Sequence, residues 1–216
     1  KFKALWKNLV ILTNFFIIIP ALGFFIINVF IPGPNVLNTI ATSMGSGRSS
    51  GIACALATGL GVTLTSLVSL FGAAIIFDKI PIIYKSMTVI GGLLLIYFAK
   101  RYIQKALTSG EKLIALQNID GKIAFRQAFL VLMSNPKMIT TYLAVISLFP
   151  IVTSNIKYVT FFSLIAGLSS FSGHFIFATL FSTRIASEIY MKLYRPINGL
   201  VGIGFIFYAI KLFLNF

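Results

Sequence analysis

Acidic side chains are nearly missing from this chain. Only Asp78, Glu111, Asp120 and Glu188 occur in 216 residues, against 18 lysines and arginines. None falls in the middle of an apolar run, so no buried carboxylate is expected to relay protons or to pair with a cationic substrate. Histidine occurs once, at His174, and cysteine once, at Cys54. A single thiol forms neither an internal disulfide nor a CxxC redox pair, which excludes a thiol-transferring membrane enzyme. Cys54 is expected to be a small packing residue. No HExxH, Gly-rich phosphate loop or Ser/His/Asp set is present. Neither a metal nor a cofactor is expected, and enzymatic chemistry has almost nothing to use.

What the chain has instead is apolar length. It is 58% hydrophobic and only 10% charged, with mean hydropathy +0.97. Soluble domains of this size do not have that composition. Several runs reach the ~18–20 residues that cross about 30 Å of hydrocarbon. The expected fold is all-α, one polytopic membrane domain whose partner is the lipid bilayer. The net charge of +14 does not read as nucleic-acid binding, because the basic residues cluster in short connections, as the positive-inside bias places them. Lys1, Lys3 and Lys7 followed by an apolar run from Leu9 resemble a secretory signal. No small-residue cleavage site follows, so the segment is expected to be retained.

Six spans are expected. The stretch from Leu9 to Ser43 is too long for one crossing at ~1.5 Å per residue. Pro20 offers a division, with Lys1 to Ile19 at the interface or entering obliquely and Ala21 to Ser43 crossing. A polar turn, Gly45 to Gly51, follows. The next spans are Ile52–Phe77, Ile82–Phe98, Ala128–Phe149 (broken at Pro136), Tyr158–Phe181 and Ile197–Leu214. The longest polar segment is Lys100 to Arg126, and Ser182 to Pro196 is a basic connection.

The two halves echo each other. Gly91, Tyr97 and Lys100 recur at one offset as Gly202, Tyr208 and Lys211, and Pro34 recurs near it as Pro136. Three spans per repeat is odd, so the halves are expected to be inverted. Residues 1–108 form the first repeat with an N-terminal extension, 109–126 a cytoplasmic linker and 127–216 the second repeat. Connections one, three and five carry ten basic residues (Arg48, Lys100, Arg101, Lys105, Lys112, Lys122, Arg126, Arg184, Lys192, Arg195), against seven on the other side. That side is expected to be cytoplasmic, with both termini outside.

Two breaks interrupt the apolar sequence, Pro32-Gly33-Pro34-Asn35 and Asn135-Pro136-Lys137. A proline inside a helix removes a donor and clashes with the preceding turn. Lipid cannot repair that, so such breaks survive inside a bundle or beside a wet cavity. Paired breaks in two halves point to a transporter's substrate site near mid-depth. A half-helix restarting at Pro34 exposes N–H groups and a partial positive charge that attract a carboxylate. Asn35, Asn38 and Thr39 add polar atoms, and Asn135, Pro136 and Lys137 form the mirror case. Lys137 reads either as a partner for the substrate or as a side chain snorkelling to the interface. His174 reads as a proton or cavity residue, or as a packed and bonded one. Gly59 and Gly61 with Thr58, Thr63, Thr65 and Ser66 suit close helix packing. A scaffold or assembly component without transport is the competing class, and it has no use for two costly breaks.

The chain resembles the LysE/RhtB amino-acid exporters. The match carries Pro32-Gly33-Pro34-Asn35, then Thr42-Ser43, Gly47-Arg48 and Gly51, then Gly59 and Gly61. It resumes with Phe125-Arg126, Leu130, Asn135-Pro136-Lys137 and Pro150. The resemblance implies a small inner-membrane protein that expels amino acids from bacteria, driven by the proton gradient and homo-oligomeric. It implies a small-molecule substrate, a neutral amino acid such as threonine, homoserine or a branched aliphatic one. Where some members carry a polar or acidic residue after Gly61, this chain has Val62, which argues against cationic substrates.

Overall fold

Helix breakers decide where the elements of this fold begin and end. The computed structural model describes residues 18–31, 33–79, 81–108 and 119–214, and among them every regular element is helical. Helix α1 spans Ile18–Phe30. It is followed by α2 (Pro34–Lys79), α3 (Pro81–Leu107), α4 (Gly121–Met133), α5 (Pro136–Leu148), a 3₁₀ turn (Pro150–Thr153), α6 (Ile156–Leu180) and α7 (Arg184–Leu214). The N-terminal stretch before Ile18, expected to lie at the interface, falls outside the described residues, as do Pro32 and most of the 109–126 linker. Pro20 does not divide the helix; it lies within α1.

α2 is a hairpin in all but name. Gly47 alone departs from helical geometry, with φ 83° and ψ 175°, a conformation that favours glycine. Residues eight apart in a straight helix are about 12 Å apart. A Cβ on Gly51 would nevertheless stand 3.1 Å from the Ser43 Cβ, so the chain folds back. The two limbs correspond to the end of the expected first span and to the second. The expected polar turn from Gly45 to Gly51 is therefore helical except at one residue.

Among the described residues three helices are long and apolar enough to cross a membrane, or four if α4 and α5, bent by 52° at their break, form one span. Two expected boundaries move. α3 runs on through Lys100, Arg101 and Lys105 to Leu107, and α4 starts at Gly121, capped by Asp120, whose side chain accepts from the Ile123 N–H at 2.8 Å. The polar connection is thus shorter than expected. The basic connection expected from Ser182 to Pro196 becomes the first turns of α7, with Pro196 inside the helix. Asn198 Nδ2 donates to the Tyr194 carbonyl at 2.6 Å, a side-chain bond beside the donor that Pro196 lacks.

The second limb of α2 packs against α6 through small residues. Gly51 meets Ala178, Gly59 meets Phe171 and Thr63 meets Gly167; Ser66 and Ser163 share a hydrogen bond of 2.9 Å. Numbers rise on one helix as they fall on the other, so the pair is antiparallel. The contacts are reciprocal: exchanging Gly59 with Gly167 and Thr63 with Phe171 turns one into the other. α3 and α7 behave alike. Gly92 faces Phe213 as Gly202 faces Ile103, which sets Gly92 against Gly202, one residue from the pairing with Gly91 that the sequence suggests. Burial follows the same register, since Ala99 and Ala209 are both buried while Tyr97 and Phe207 are exposed.

The outward faces are apolar. Along α2, Leu56, Leu60, Leu64 and Val68 are between 46% and 75% exposed, a stripe that water does not tolerate at this extent and that lipid covers. The inward faces carry aromatic contacts. Phe25 meets Phe162 edge-on at 5.8 Å between ring centroids and stacks over Tyr142 at 6.3 Å; Phe24 meets Tyr208 at 4.9 Å. Connections one, three and five gather at one end. Ser46 Oγ accepts from the Ile119 N–H at 3.0 Å, Ser50 Oγ donates to the Ile119 carbonyl at 2.7 Å, and Arg195 Nε donates to the Ala106 carbonyl at 2.8 Å.

Candidate functional site

The two chain breaks meet inside the bundle and differ in how their ends are satisfied. Pro34 and Pro136 each open a helix, the position where a missing N–H costs least. Asn135 caps α5 itself, its Oδ1 accepting from the Lys137 N–H at 3.0 Å. At α2 the Gly33 carbonyl accepts from the Leu37 N–H at 2.9 Å, which makes Gly33 the cap residue. Glycine has no side-chain acceptor to offer the first-turn N–H groups. Asn35 is buried, and its Oδ1 has no hydrogen-bond partner among the described residues.

Lys137 crosses from the second break to the first. Its Nζ donates to the carbonyls of Asn28 at 2.8 Å and Ile31 at 2.9 Å. These lie at the end of α1, where carbonyls carry a partial negative charge; the Asn28 carbonyl also accepts from the Ile31 N–H at 3.2 Å. In a bilayer no water is there to serve them. Thr141 Oγ1 donates to Asn28 Oδ1 at 3.3 Å and to the Lys137 carbonyl at 2.7 Å, so α1 and α5 are tied by side chains from both. Space is tight here, because a Cβ on Gly33 would stand 3.1 Å from Lys137 Cδ.

Around this junction lies a cavity of about 30 Å³, lined by Asn28, Gly33, Asn35, Asn135, Lys137, Ser170 and His174 with the apolar Phe25, Val29, Val36, Val62 and Met138. That is enough room to admit water. His174 is buried against α2, its Nδ1 and Thr39 Oγ1 sharing a hydrogen bond of 2.9 Å, and Thr39 Oγ1 also donates to the Asn35 carbonyl at 3.0 Å.

The expected site residues thus divide. Asn35, Asn135, Lys137 and His174 line the cavity together, and Thr39 reaches it through His174. Pro34 borders a second cavity on the far side of the break. Asn38 turns away, its Nδ2 donating to Cys54 Sγ at 3.8 Å, while the thiol donates to the Ala124 carbonyl at 3.6 Å. Pro136 opens α5. The residues that sequence reasoning missed are Asn28, Thr141 and Ser170. Asn28 had a legible signal, an amide in the otherwise apolar run Phe24 to Phe30. Thr141 had none, since threonine commonly bonds the preceding turn of its own helix. Val62 was noted as a departure; the structure puts it on the cavity wall, its carbonyl accepting from Tyr142 Oη at 3.1 Å.

Comparison with known proteins places the chain among membrane transport proteins. A leucine efflux protein of Salmonella typhimurium is 25% identical over 187 residues, covering 85% of this chain and 88% of that protein. The uncharacterized membrane protein YahN of Escherichia coli is 26% identical over 197 residues, covering 88% and 86%. An uncharacterized membrane protein of Haemophilus influenzae is 25% identical over 191 residues, covering 85% and 90%. No solved structure matches. Residues 26–215 match the family model described as LysE type translocator, and this multi-pass membrane protein belongs to that family.

Proposed function

We propose that the chain exports neutral amino acids with apolar side chains, leucine among them, from the cytoplasm across the bacterial inner membrane. The observation that carries this reading is the uncapped start of α2 at the cavity. Its first-turn N–H groups suit a carboxylate, and the unpartnered Asn35 Oδ1 beside them suits an α-ammonium, which needs acceptors. One helix end thus offers complements to both charges of an amino acid. Phe25, Val29, Val36, Val62 and Met138 line the same cavity and favour an aliphatic side chain over a cationic one. The leucine efflux protein among the relatives agrees with that preference.

Alternating access requires this cavity to widen and to open to each side in turn. Reciprocal packing of α2 against α6 and of α3 against α7 suits two inverted halves that rock about the breaks. The positive-inside bias places the basic end, with connections one, three and five, in the cytoplasm. Proton coupling is assigned to His174, whose Nδ1 shares a hydrogen bond with Thr39 Oγ1.

Efflux of preloaded labelled leucine, threonine, homoserine and lysine from cells expressing the chain tests the reading. Export of leucine, its collapse with a protonophore and its loss in His174→Gln are expected. Equal retention of all four relative to empty cells would refute the transport reading and leave a structural membrane component. Export of lysine in preference to leucine would refute the substrate class.

A further inference from the structure

We propose a second, cytoplasm-facing subsite that takes the carboxylate of the arriving substrate, built by Arg101, Lys105 and Lys137 in the cavity beyond the Gly33–Pro34 break. This cavity measures about 130 Å³ and is lined by Gly33, Pro34, Phe98, Arg101, Tyr102, Lys105, Asn135 and Lys137. It brings basic side chains from two different elements to one space. Arg101 and Lys105 are one turn apart on α3 and so share a face; Lys137 arrives from the start of α5. All the lining charges are of one sign, which concentrates an anion in a low-dielectric cleft. Aromatic rings accompany the cations, with the Arg101 guanidinium 5.9 Å from the Tyr97 ring centroid and Lys105 Nζ 5.8 Å from that of Tyr102. An arginine offers a carboxylate a planar fork that a lysine cannot.

Place in the fold argues for an entry point. The cavity lies near the α3 end that leads into the basic connection, where Arg195 also bonds Ala106. Gly33, Asn135 and Lys137 line both this cavity and the inner one, so they form the wall between them. A carboxylate held by Arg101 and Lys105 is next to the Lys137 amine, which now serves the Asn28 and Ile31 carbonyls. Competition for that amine would loosen the end of α1 and let the substrate pass inward. Loading and unlocking are then one event, with no covalent change.

The identity of the anion as substrate rests on the export reading; the existence of a carboxylate subsite does not. Two measurements therefore separate them. In everted vesicles, the Arg101→Gln/Lys105→Gln double variant is expected to raise the half-saturation concentration for leucine at least tenfold while its maximal rate stays within about twofold. Arg101→Lys should recover part of the loss. On purified full-length protein in detergent, saturation-transfer NMR is expected to detect binding of ¹³C-labelled acetate to the wild type and not to the double variant, at equal thermal stability. Leucinamide, which lacks the carboxylate, should not displace acetate. Unchanged half-saturation, or equal acetate binding by wild type and double variant, would overturn the subsite. Displacement of acetate by low-millimolar chloride would overturn its assignment to carboxylates. Absent leucine transport with acetate binding intact would refute the export reading and leave the subsite standing.

Discussion

The helix crossing at Gly59 and Gly167 lends itself to a quantitative test, because the same substitution should have opposite signs at two glycines of one protein. A Cβ on Gly167 would stand 2.9 Å from the Gly59 carbonyl oxygen and 3.1 Å from Thr63 Cβ, and would strike Thr63 Oγ1. Backbone cannot rotate away, and Thr63 can yield only by giving up its bond to the Gly59 carbonyl at 3.0 Å. Overpacking costs about 1–3 kcal/mol, and the lost bond adds about 0.6 kcal/mol on the scale measured within membranes. Against this, alanine exceeds glycine in helix propensity by ~1 kcal/mol. Gly167→Ala should therefore lose roughly 0.6–2.6 kcal/mol. Gly72, on the same α2 limb, has nothing within 4 Å of its hypothetical Cβ, so Gly72→Ala keeps the propensity gain alone. For a domain of this size 1 kcal/mol moves the midpoint by roughly 2–4 °C. Thermal unfolding of the purified protein should show Gly167→Ala melting several degrees below wild type and Gly72→Ala at or slightly above it. If both shift the same way by the same amount, close packing at Gly167 does not govern this interface.

Other perturbations address the site. Asn35→Ala should leave the melting temperature unchanged or raise it, because Oδ1 has no partner to lose, while half-saturation for leucine rises tenfold or more; a lower melting temperature would give Asn35 a structural role instead. Asn135→Ala removes the α5 cap and should cost about 0.5–2 kcal/mol, with Asn135→Ser recovering most of it in the same melting assay. Lys137→Met takes the donor from the Asn28 and Ile31 carbonyls, so hydrogen exchange at the α1–α2 break should quicken and export fall, with Lys137→Arg closer to wild type. Equal exchange in all three would show that the carbonyls do not depend on Lys137.

Some of this protein was written in local sequence. Apolar runs of sufficient length, two prolines within them and the side bias of lysine and arginine were enough to read helices, breaks and the gathering of three connections at one end. Those features depend on solvent transfer and on backbone chemistry, which act residue by residue. Beyond that, distant pairings decided the outcome. Lys137 looked like either a substrate partner or a snorkelling side chain, because nothing near it in sequence is a carboxylate. Only folding α1 against α5 brings the Asn28 and Ile31 carbonyls to it. Asn35 and Asn38 looked equivalent, about 60° apart around the helix, yet one lines the cavity and the other meets Cys54. Arg101 and Lys105 read as ordinary interfacial charge until α3 laid them beside the break. Hydropathy is a property of a segment and is settled locally; a binding site is a coincidence of segments, and packing alone creates it.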